Sequence, residues 1–90
     1  MFVYILTNHT NTVLYIGVTN NLIRRISEHI LHFSTNSFVT KYHLYKLVWF
    51  QEFKTPVEAI EIEKKLKGWK RYKKINLIIK TNPEFKNLLY

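Results

Sequence analysis

The 90-residue sequence contains neither cysteine nor aspartate, and these two absences limit the chemistry it can perform. Without cysteine the chain can form no disulfide framework and no thiolate metal site, which excludes the zinc-finger modules. Its only acids are six glutamates. Any side-chain ligand for a metal ion must therefore come from glutamate, histidine or a tyrosine oxygen.

Long apolar segments are also missing from the chain. No run approaches the ~20 residues that a helix needs to cross a bilayer. The first residues, MFVYILTNHTN, lack the basic segment and the small-residue cleavage site of a signal peptide. We therefore expect a cytoplasmic protein without a membrane partner. It should form one domain over residues 1–90, because so short a chain cannot divide its core.

Basic residues are in large excess over acidic ones. Fourteen lysines and arginines oppose six acids, which gives a net charge of +8 and a pI near 9.8. Such an excess in a small domain indicates a polyanionic partner, such as nucleic acid or an acidic membrane. A solvated basic surface with no partner is the alternative explanation of the same composition.

Much of this charge lies in residues 64–80, KKLKGWKRYKKINLIIK, which hold eight basic residues and no acid. A solvated helix face would account for the segment, but contact with a phosphate backbone explains its charge better. Trp69 is interleaved with the lysines, and for it we favour a place in the core over stacking on a base. The expected nucleic-acid contacts are Lys64, Lys67, Lys70, Arg71, Lys73 and Lys74.

The N-terminal residues predict a β-hairpin. Phe2–Thr7 and residues 12–18 are rich in Val, Ile, Leu and Tyr, and the turn-forming residues 8–11 separate them. A four-residue loop would pair positions whose numbers sum to about 19 and would place Tyr4 directly opposite Tyr15 on one face of the sheet. A third strand is predicted over residues 45–53.

Helices are predicted from their start signals. Asn20 or Asn21 should cap a first helix that ends near Leu31 or His32, before a polar break at residues 34–38. Thr55, Pro56 and Glu58 form a capping box that begins a second helix, which should stop at Gly68. Another helical stretch should contain residues 75–79, and a short terminal helix is expected over 82–89.

These elements define the expected fold class, an α+β domain. A three-stranded antiparallel sheet should be flanked by helices in the order β-β-α-β-α-α, with the short terminal helix last. On the first helix, Arg24 and Glu28 fall on the solvated side. Arg25 and His29 lie one turn apart at the edge of the apolar stripe, which places Arg25 to line a cleft.

Among the glutamates, Glu63 is the one whose position on its helix is least consistent with a solvent-exposed side chain. It lies between Ala59 and Lys67 on one row of its helix, near the apolar side, where a carboxylate is costly unless it meets a cation. An ion pair with a lysine or arginine is one explanation and a metal ion is the other. The tyrosines likewise could be core residues, and His9, His32 and His43 show no ligand spacing.

Taken in order, these residues form a series: a tyrosine, then Tyr-Ile-Gly, then Arg and His one turn apart, then Glu on a later helix. The series resembles the GIY-YIG nuclease family (the URI domain), and the similarity to its small stand-alone bacterial members covers almost the whole chain. The resembling segments are VYIL, LYIGVTNNLIRRISEH, LVWFQEF, AIEIEKKLKGWKRYKKINLI and NPEFKNLL.

The sequence departs from the family pattern at several positions. Phe2 and Val3 stand where the first motif has glycine and isoleucine. Ile75 stands where many members have an asparagine, with Asn76 one position late, and Phe85 replaces a tryptophan common in the stand-alone group. The residues that do match the family's functional positions are Tyr4, Tyr15, Gly17, Arg25, His29 and Glu63.

The resemblance implies a metal-dependent endonuclease that hydrolyses phosphodiester bonds in nucleic acid, and we expect the nucleic acid to be DNA. Glu63 would hold a single Mg²⁺ or Mn²⁺, Arg25 would stabilise the transition state, and Tyr4 or Tyr15 would act as the base. His29 would orient a tyrosine or shuttle a proton. Family members that recognise specific sites usually carry an additional DNA-binding domain. Without one, we expect this protein to have weak sequence preference, to recognise branched or damaged substrates, or to depend on another protein for specificity.

Two other functions fit part of the sequence. A non-catalytic basic nucleic-acid-binding module would keep the lysines but cleave nothing with any metal. A basic adaptor for an acidic protein would explain the charge but leaves Arg25, Glu63 and the two tyrosines as coincidence, so we rank it last.

Overall fold

The computed structural model describes residues 1–31 and 37–89, which form a three-stranded sheet with helices on both faces. The strands β1 (Phe2–Thr7), β2 (Leu14–Thr19) and β3 (Lys46–Glu52) are antiparallel in the order β2-β1-β3, which confirms the predicted α+β class. None of the helices in the described ranges is long and apolar enough to cross a bilayer. The helices are α1 (Leu22–Ile30), α2 (Ser37–Tyr42), α3 (Pro56–Lys67) and α4 (Arg71–Thr81).

The central strand β1 is buried on both faces, so its alternating side chains enter two separate cores. Tyr4 and Leu6 face helices α1 and α2, where they pack with Ile26 among other apolar residues. Val3 and Ile5 face helices α3 and α4 in the second core. The sheet thus divides the molecule into two helical layers, and a site that uses both layers must form at an edge of the sheet.

The predicted hairpin register is wrong by two residues. Tyr4 pairs with Gly17, and Tyr15 pairs with Leu6, so paired positions sum to 21. Because a shift of two preserves the alternation of faces, Tyr4 and Tyr15 still share one face, as diagonal rather than direct neighbours.

The cause of this shift is the side chain of Asn8. Its Oδ1 accepts hydrogen bonds from the backbone N–H of Thr12 at 2.9 Å and of Val13 at 3.2 Å. The Thr7 hydroxyl donates to the Val13 carbonyl at 2.7 Å, and Asn11 adopts a left-handed φ of 58°. These bonds stabilise a six-residue loop over residues 8–13 in place of the expected four-residue turn.

The predicted helix boundaries that rest on local capping are confirmed. Asn21 Oδ1 accepts from Arg24 N–H at 3.1 Å at the start of α1, and Thr55 Oγ1 accepts from Glu58 N–H at 3.2 Å at the start of α3. Helix α3 ends at Gly68, as expected. His32, the other expected end of α1, lies outside the described residues.

The predicted polar break at 34–38 is wrong in the part that the structure describes. Residues 34–36 lie outside the described ranges, whereas residues 37 and 38 begin helix α2, which the sequence interpretation missed. This helix is held by Val39, which is fully buried against the α1 side of the sheet together with Leu44 just after the helix. Burial of these side chains, rather than local helix propensity, explains the element.

The predicted terminal helix over 82–89 is wrong, because two asparagines hold these residues against β3. Asn82 Nδ2 donates to the Val48 and Lys86 carbonyls at 3.1 and 2.8 Å. Asn87 Oδ1 accepts from Leu47 N–H at 3.2 Å. Polar groups of the edge strand are thereby satisfied by the tail, an arrangement that a separate helix would not provide.

Candidate active site

Tyr4 lies across the neighbouring strand at the position of Gly17. Its side chain is only 2% exposed, and a Cβ built on Gly17 would lie 2.5 Å from Tyr4 Cζ and 3.0 Å from Cε1. Real Cβ atoms do not approach other carbons so closely. Glycine is therefore required at this position because it leaves room for the phenol ring.

Substitution of Gly17 by alanine should destabilise the protein by about 1–3 kcal/mol, because the added methyl group forces the buried Tyr4 ring out of its place. Urea unfolding at equilibrium measures this loss. Gly68→Ala is the matched control, since its Cβ would make only ordinary contacts with the Lys65 and Lys64 carbonyl oxygens, at 3.6 and 3.8 Å, and the backbone there is right-handed. Equal stability of the two variants would contradict the packing of Tyr4 on Gly17.

Two tyrosines and a histidine form a contiguous aromatic group on the α1 side of the sheet. The ring centroids of Tyr4 and Tyr15 are 6.3 Å apart with an interplanar angle of 47°. The His29 ring meets Tyr15 edge-on, with centroids 6.4 Å apart. The structure thus brings together three of the residues selected from the sequence.

The electrostatic environment of Tyr4 links this group to the two charged candidates. Burial raises the pKa of the Tyr4 hydroxyl far above its ordinary value, and Tyr15 raises it further. The positive charge of Arg25 lowers this pKa, while the negative charge of Glu63 raises it. Arg25 lies on α1 and Glu63 on α3, so side chains from both helical layers act on one hydroxyl.

Of the two adjacent arginines, only Arg25 acts on this group. Its charge affects the pKa of both Tyr4 and His29, whereas Arg24 affects neither. The Arg24 side chain belongs to an exposed residue whose backbone N–H is capped by Asn21. Both arginines are exposed and line the same cleft with Glu28, so the predicted difference between their two helix faces is not seen in their exposure.

His29 is more deeply placed than the sequence suggested. It was expected at the edge of the apolar stripe, but it is 2% exposed, and neither ring nitrogen has a hydrogen-bond partner among the described residues. Burial lowers its pKa, Arg25 lowers it further and Glu28 raises it. Near neutral pH the imidazole is therefore uncharged, with one N–H donor and one acceptor beside Tyr15.

Glu63 is paired with a lysine on its own helix. Its Oε1 is 3.5 Å from Lys67 Nζ, and its side chain is 15% exposed against 53% for the lysine. An ion pair between residues four apart on a helix contributes only about 0.3–0.5 kcal/mol, so a stronger cation could displace the half-exposed lysine.

The chemistry of the donor set decides which cation Glu63 could hold. Among residues 1–31 and 37–89 no group of three or more His or Glu side chains could surround a metal ion. A single carboxylate is nevertheless enough for Mg²⁺, which keeps several of its waters and takes further oxygens from a phosphate. The residues present fit a one-carboxylate site.

The basic residues of the C-terminal half lie along α3 and α4 and differ in their exposure and in the groups that they contact. Lys67 pairs with Glu63, and Lys73 Nζ lies 6.0 Å from the centroid of the half-buried Trp69 ring. Arg71 Nη2 donates to the Asn11 carbonyl at 2.8 Å and so ties α4 to the hairpin loop. The remaining predicted contacts are the exposed Lys64 and Lys70 and the half-buried Lys74.

Sequence interpretation missed two aromatic residues beside this site, Phe38 and Tyr42 on α2. The Phe38 ring centroid is 6.1 Å from that of Tyr15. The available signal was their spacing of four residues, which places both rings on one face of a helix. Asn76, noted for its near-match to the family pattern, is exposed on α4.

Comparison with known proteins gave one match. A family model described as the GIY-YIG catalytic domain matches residues 1–76 of the 90-residue chain. Searches of curated proteins and of solved structures gave no match. The matched range includes Tyr4, Tyr15, Gly17, Arg25, His29 and Glu63.

Proposed function

We propose that this chain, which belongs to the GIY-YIG nuclease family, is an endonuclease that hydrolyses phosphodiester bonds in nucleic acid. The proposed substrate is DNA, and the proposed reaction uses one divalent metal ion. The observation that carries the proposal is the aromatic group of Tyr4, Tyr15 and His29, in which the charges of Arg25 and Glu63 both affect the Tyr4 hydroxyl. A cation that stabilises charge, an acid that holds a metal ion and a phenol that accepts a proton can together serve phosphodiester hydrolysis. A binding module would not need them at one place.

Arg25 would bind the scissile phosphate. Its guanidinium is exposed at the edge of a buried aromatic group, where it can donate two parallel hydrogen bonds to phosphate oxygens. Because negative charge builds up on these oxygens in the transition state, the contact strengthens as the reaction proceeds.

We assign the proton acceptor to Tyr15 rather than to Tyr4. The raised pKa of Tyr4 keeps its hydroxyl protonated near neutral pH, and its burial leaves no room for an attacking water. Tyr15 is only half-buried on the same face of the sheet. His29 meets the Tyr15 ring edge-on, and as a neutral imidazole it would accept the proton at one ring nitrogen and release one from the other.

Glu63 would hold the single Mg²⁺ or Mn²⁺, whose chemistry there is to neutralise charge on the phosphate and on the leaving oxygen. Lys67 would move from the carboxylate to solvent or to a neighbouring phosphate. The other basic side chains of α3 and α4 would bind the nucleic-acid backbone without reading sequence. Site selection would then rest on substrate structure or on a protein partner.

The test is a cleavage assay with the full chain. Single-stranded, duplex and branched DNA, and RNA of the same sequence, are incubated with Mg²⁺ or Mn²⁺ and separated on a denaturing gel. We expect internal cuts that disappear when EDTA removes the metal. Binding without cleavage under every metal condition would instead favour the non-catalytic binding module.

Tyrosine variants show whether the activity belongs to this chain rather than to a trace contaminant. Tyr15→Phe should lower the cleavage rate about a hundredfold, which is an ordinary contribution of a general base. Tyr4→Phe should lower it less, by at most about tenfold, because this buried hydroxyl does not accept the proton and the change removes only its interactions within the site. A larger loss in Tyr4→Phe would reverse the assignment.

A further inference from the structure

A row of aromatic rings leads from the candidate base to the protein surface. The Phe38 ring lies 6.1 Å from Tyr15 at an interplanar angle of 32°, and Tyr42 lies 4.8 Å from Phe38 at 53°. Phe38 is 43% exposed and Tyr42 39% exposed. The row thus begins at the site and ends in solvent.

Phe38 and Tyr42 remain partly exposed on helix α2. Helix α2 is anchored to the core by Val39, which is fully buried, while Phe38 and Tyr42 project from the helix one turn apart. These two aromatic side chains present apolar surface beside the proposed catalytic site, and a ligand can cover this surface.

The charge around the row indicates the ligand. Lys41 Nζ lies 5.5 Å from the centroid of the Tyr42 ring, and the whole chain carries a net charge of +8. An aromatic face flanked by a cation matches a nucleotide, with its base on the ring and its phosphate beside the lysine. A base within a duplex has both faces covered by its neighbours, so only an unpaired base can stack here.

We infer that Phe38 and Tyr42 bind an unpaired base of the nucleic acid next to the phosphate that is cut. This inference rests on the proposed function, because it places the bases relative to the same site. The preferred substrate is then a single strand, or a branched molecule with an unpaired nucleotide at the cleavage position. Fully paired duplex would bind only through its phosphates.

The test compares the affinities of a single-stranded oligonucleotide and of the corresponding duplex in EDTA, at one fixed salt concentration. The double variant Phe38→Leu/Tyr42→Leu should bind the single strand about tenfold or more weakly, as expected for one or two lost stacking contacts. Its affinity for duplex should stay within twofold. Tyr42→Phe, which keeps the ring, should retain the preference for the single strand.

Tyr72→Leu is the matched control, because Tyr72 is exposed on α4, in the other helical layer. Thermal unfolding must show that the variants remain folded, and an abasic nucleotide scanned along the strand should weaken binding to the wild type but not to the double variant. Unchanged single-strand affinity, an equal loss for duplex, or a change confined to self-association of the chain would each overturn the inference. Because no metal is present, selective binding without any cleavage activity would support it even if the proposed function failed.

Discussion

Arg25→Ala is expected to lower the rate of nucleic-acid cleavage about a thousandfold, which is the loss typical of removing one charged donor from a transition state. The adjacent Arg24→Ala should stay within twofold of wild type. Arg25 acts electrostatically on Tyr4 and His29, whereas Arg24 acts on neither. Single-turnover cleavage with excess enzyme measures the difference directly, because it separates the chemical step from product release.

Two further measurements exclude a structural cause for this loss. Arg25 belongs to an exposed part of α1, so the unfolding free energy of Arg25→Ala should match that of Arg24→Ala. The pKa of His29, followed by NMR, should rise in Arg25→Ala because a nearby positive charge is removed, and should not move in Arg24→Ala. Equal cleavage rates in the two variants would contradict the role of Arg25.

Features that depend on one helix alone are the ones that this sequence predicts. Helical periodicity predicted an apolar stripe on α1, and Leu22 and Ile26 on that stripe are buried. Capping at Asn21 and Thr55 was predictable for the same reason, since the hydrogen bonds span only three residues. Gly68 likewise ended its helix as expected.

Predictions failed where the side chain of an asparagine determines the backbone conformation through hydrogen bonds that composition does not reveal. The hairpin register depends on Asn8, whose contacts with Thr12 and Val13 turn a four-residue loop into a six-residue one. Composition does not distinguish the two loops, since both contain the same turn-forming residues. The tail was mistaken for a helix because the bonds of Asn82 and Asn87 to β3 span 34 and 40 positions of sequence.

The candidate site combines both kinds of information. Tyr4, Tyr15 and Arg25 lie on elements whose faces can be predicted, but Glu63 affects the pKa of Tyr4 through its charge from the other helical layer. Periodicity within α3 placed Glu63 near the apolar side without indicating which group it meets. That relation depends on how α3 packs against β1 and β2, which no local pattern contains.

Glu63→Gln should therefore be as damaging as the loss of Arg25, lowering the cleavage rate about a thousandfold or more, because the amide removes the one charged ligand that we propose for the metal ion. Mn²⁺ binding, followed by electron paramagnetic resonance in the absence of nucleic acid, should weaken in parallel. The variant keeps the size of the side chain, and the pair with Lys67 contributes only about 0.3–0.5 kcal/mol, so the protein should remain folded.

Glu61→Gln provides the matched control, because Glu61 is an exposed glutamate two positions earlier on the same helix and both changes remove one negative charge. Their common effect on net charge should strengthen nucleic-acid binding slightly and equally. Only Glu63→Gln should lose cleavage and Mn²⁺ binding, and only there should the pKa of Tyr4 fall, since Glu63 raises it. If Mn²⁺ affinity is the same in both variants, Glu63 is simply the partner of Lys67 and the metal must be held elsewhere.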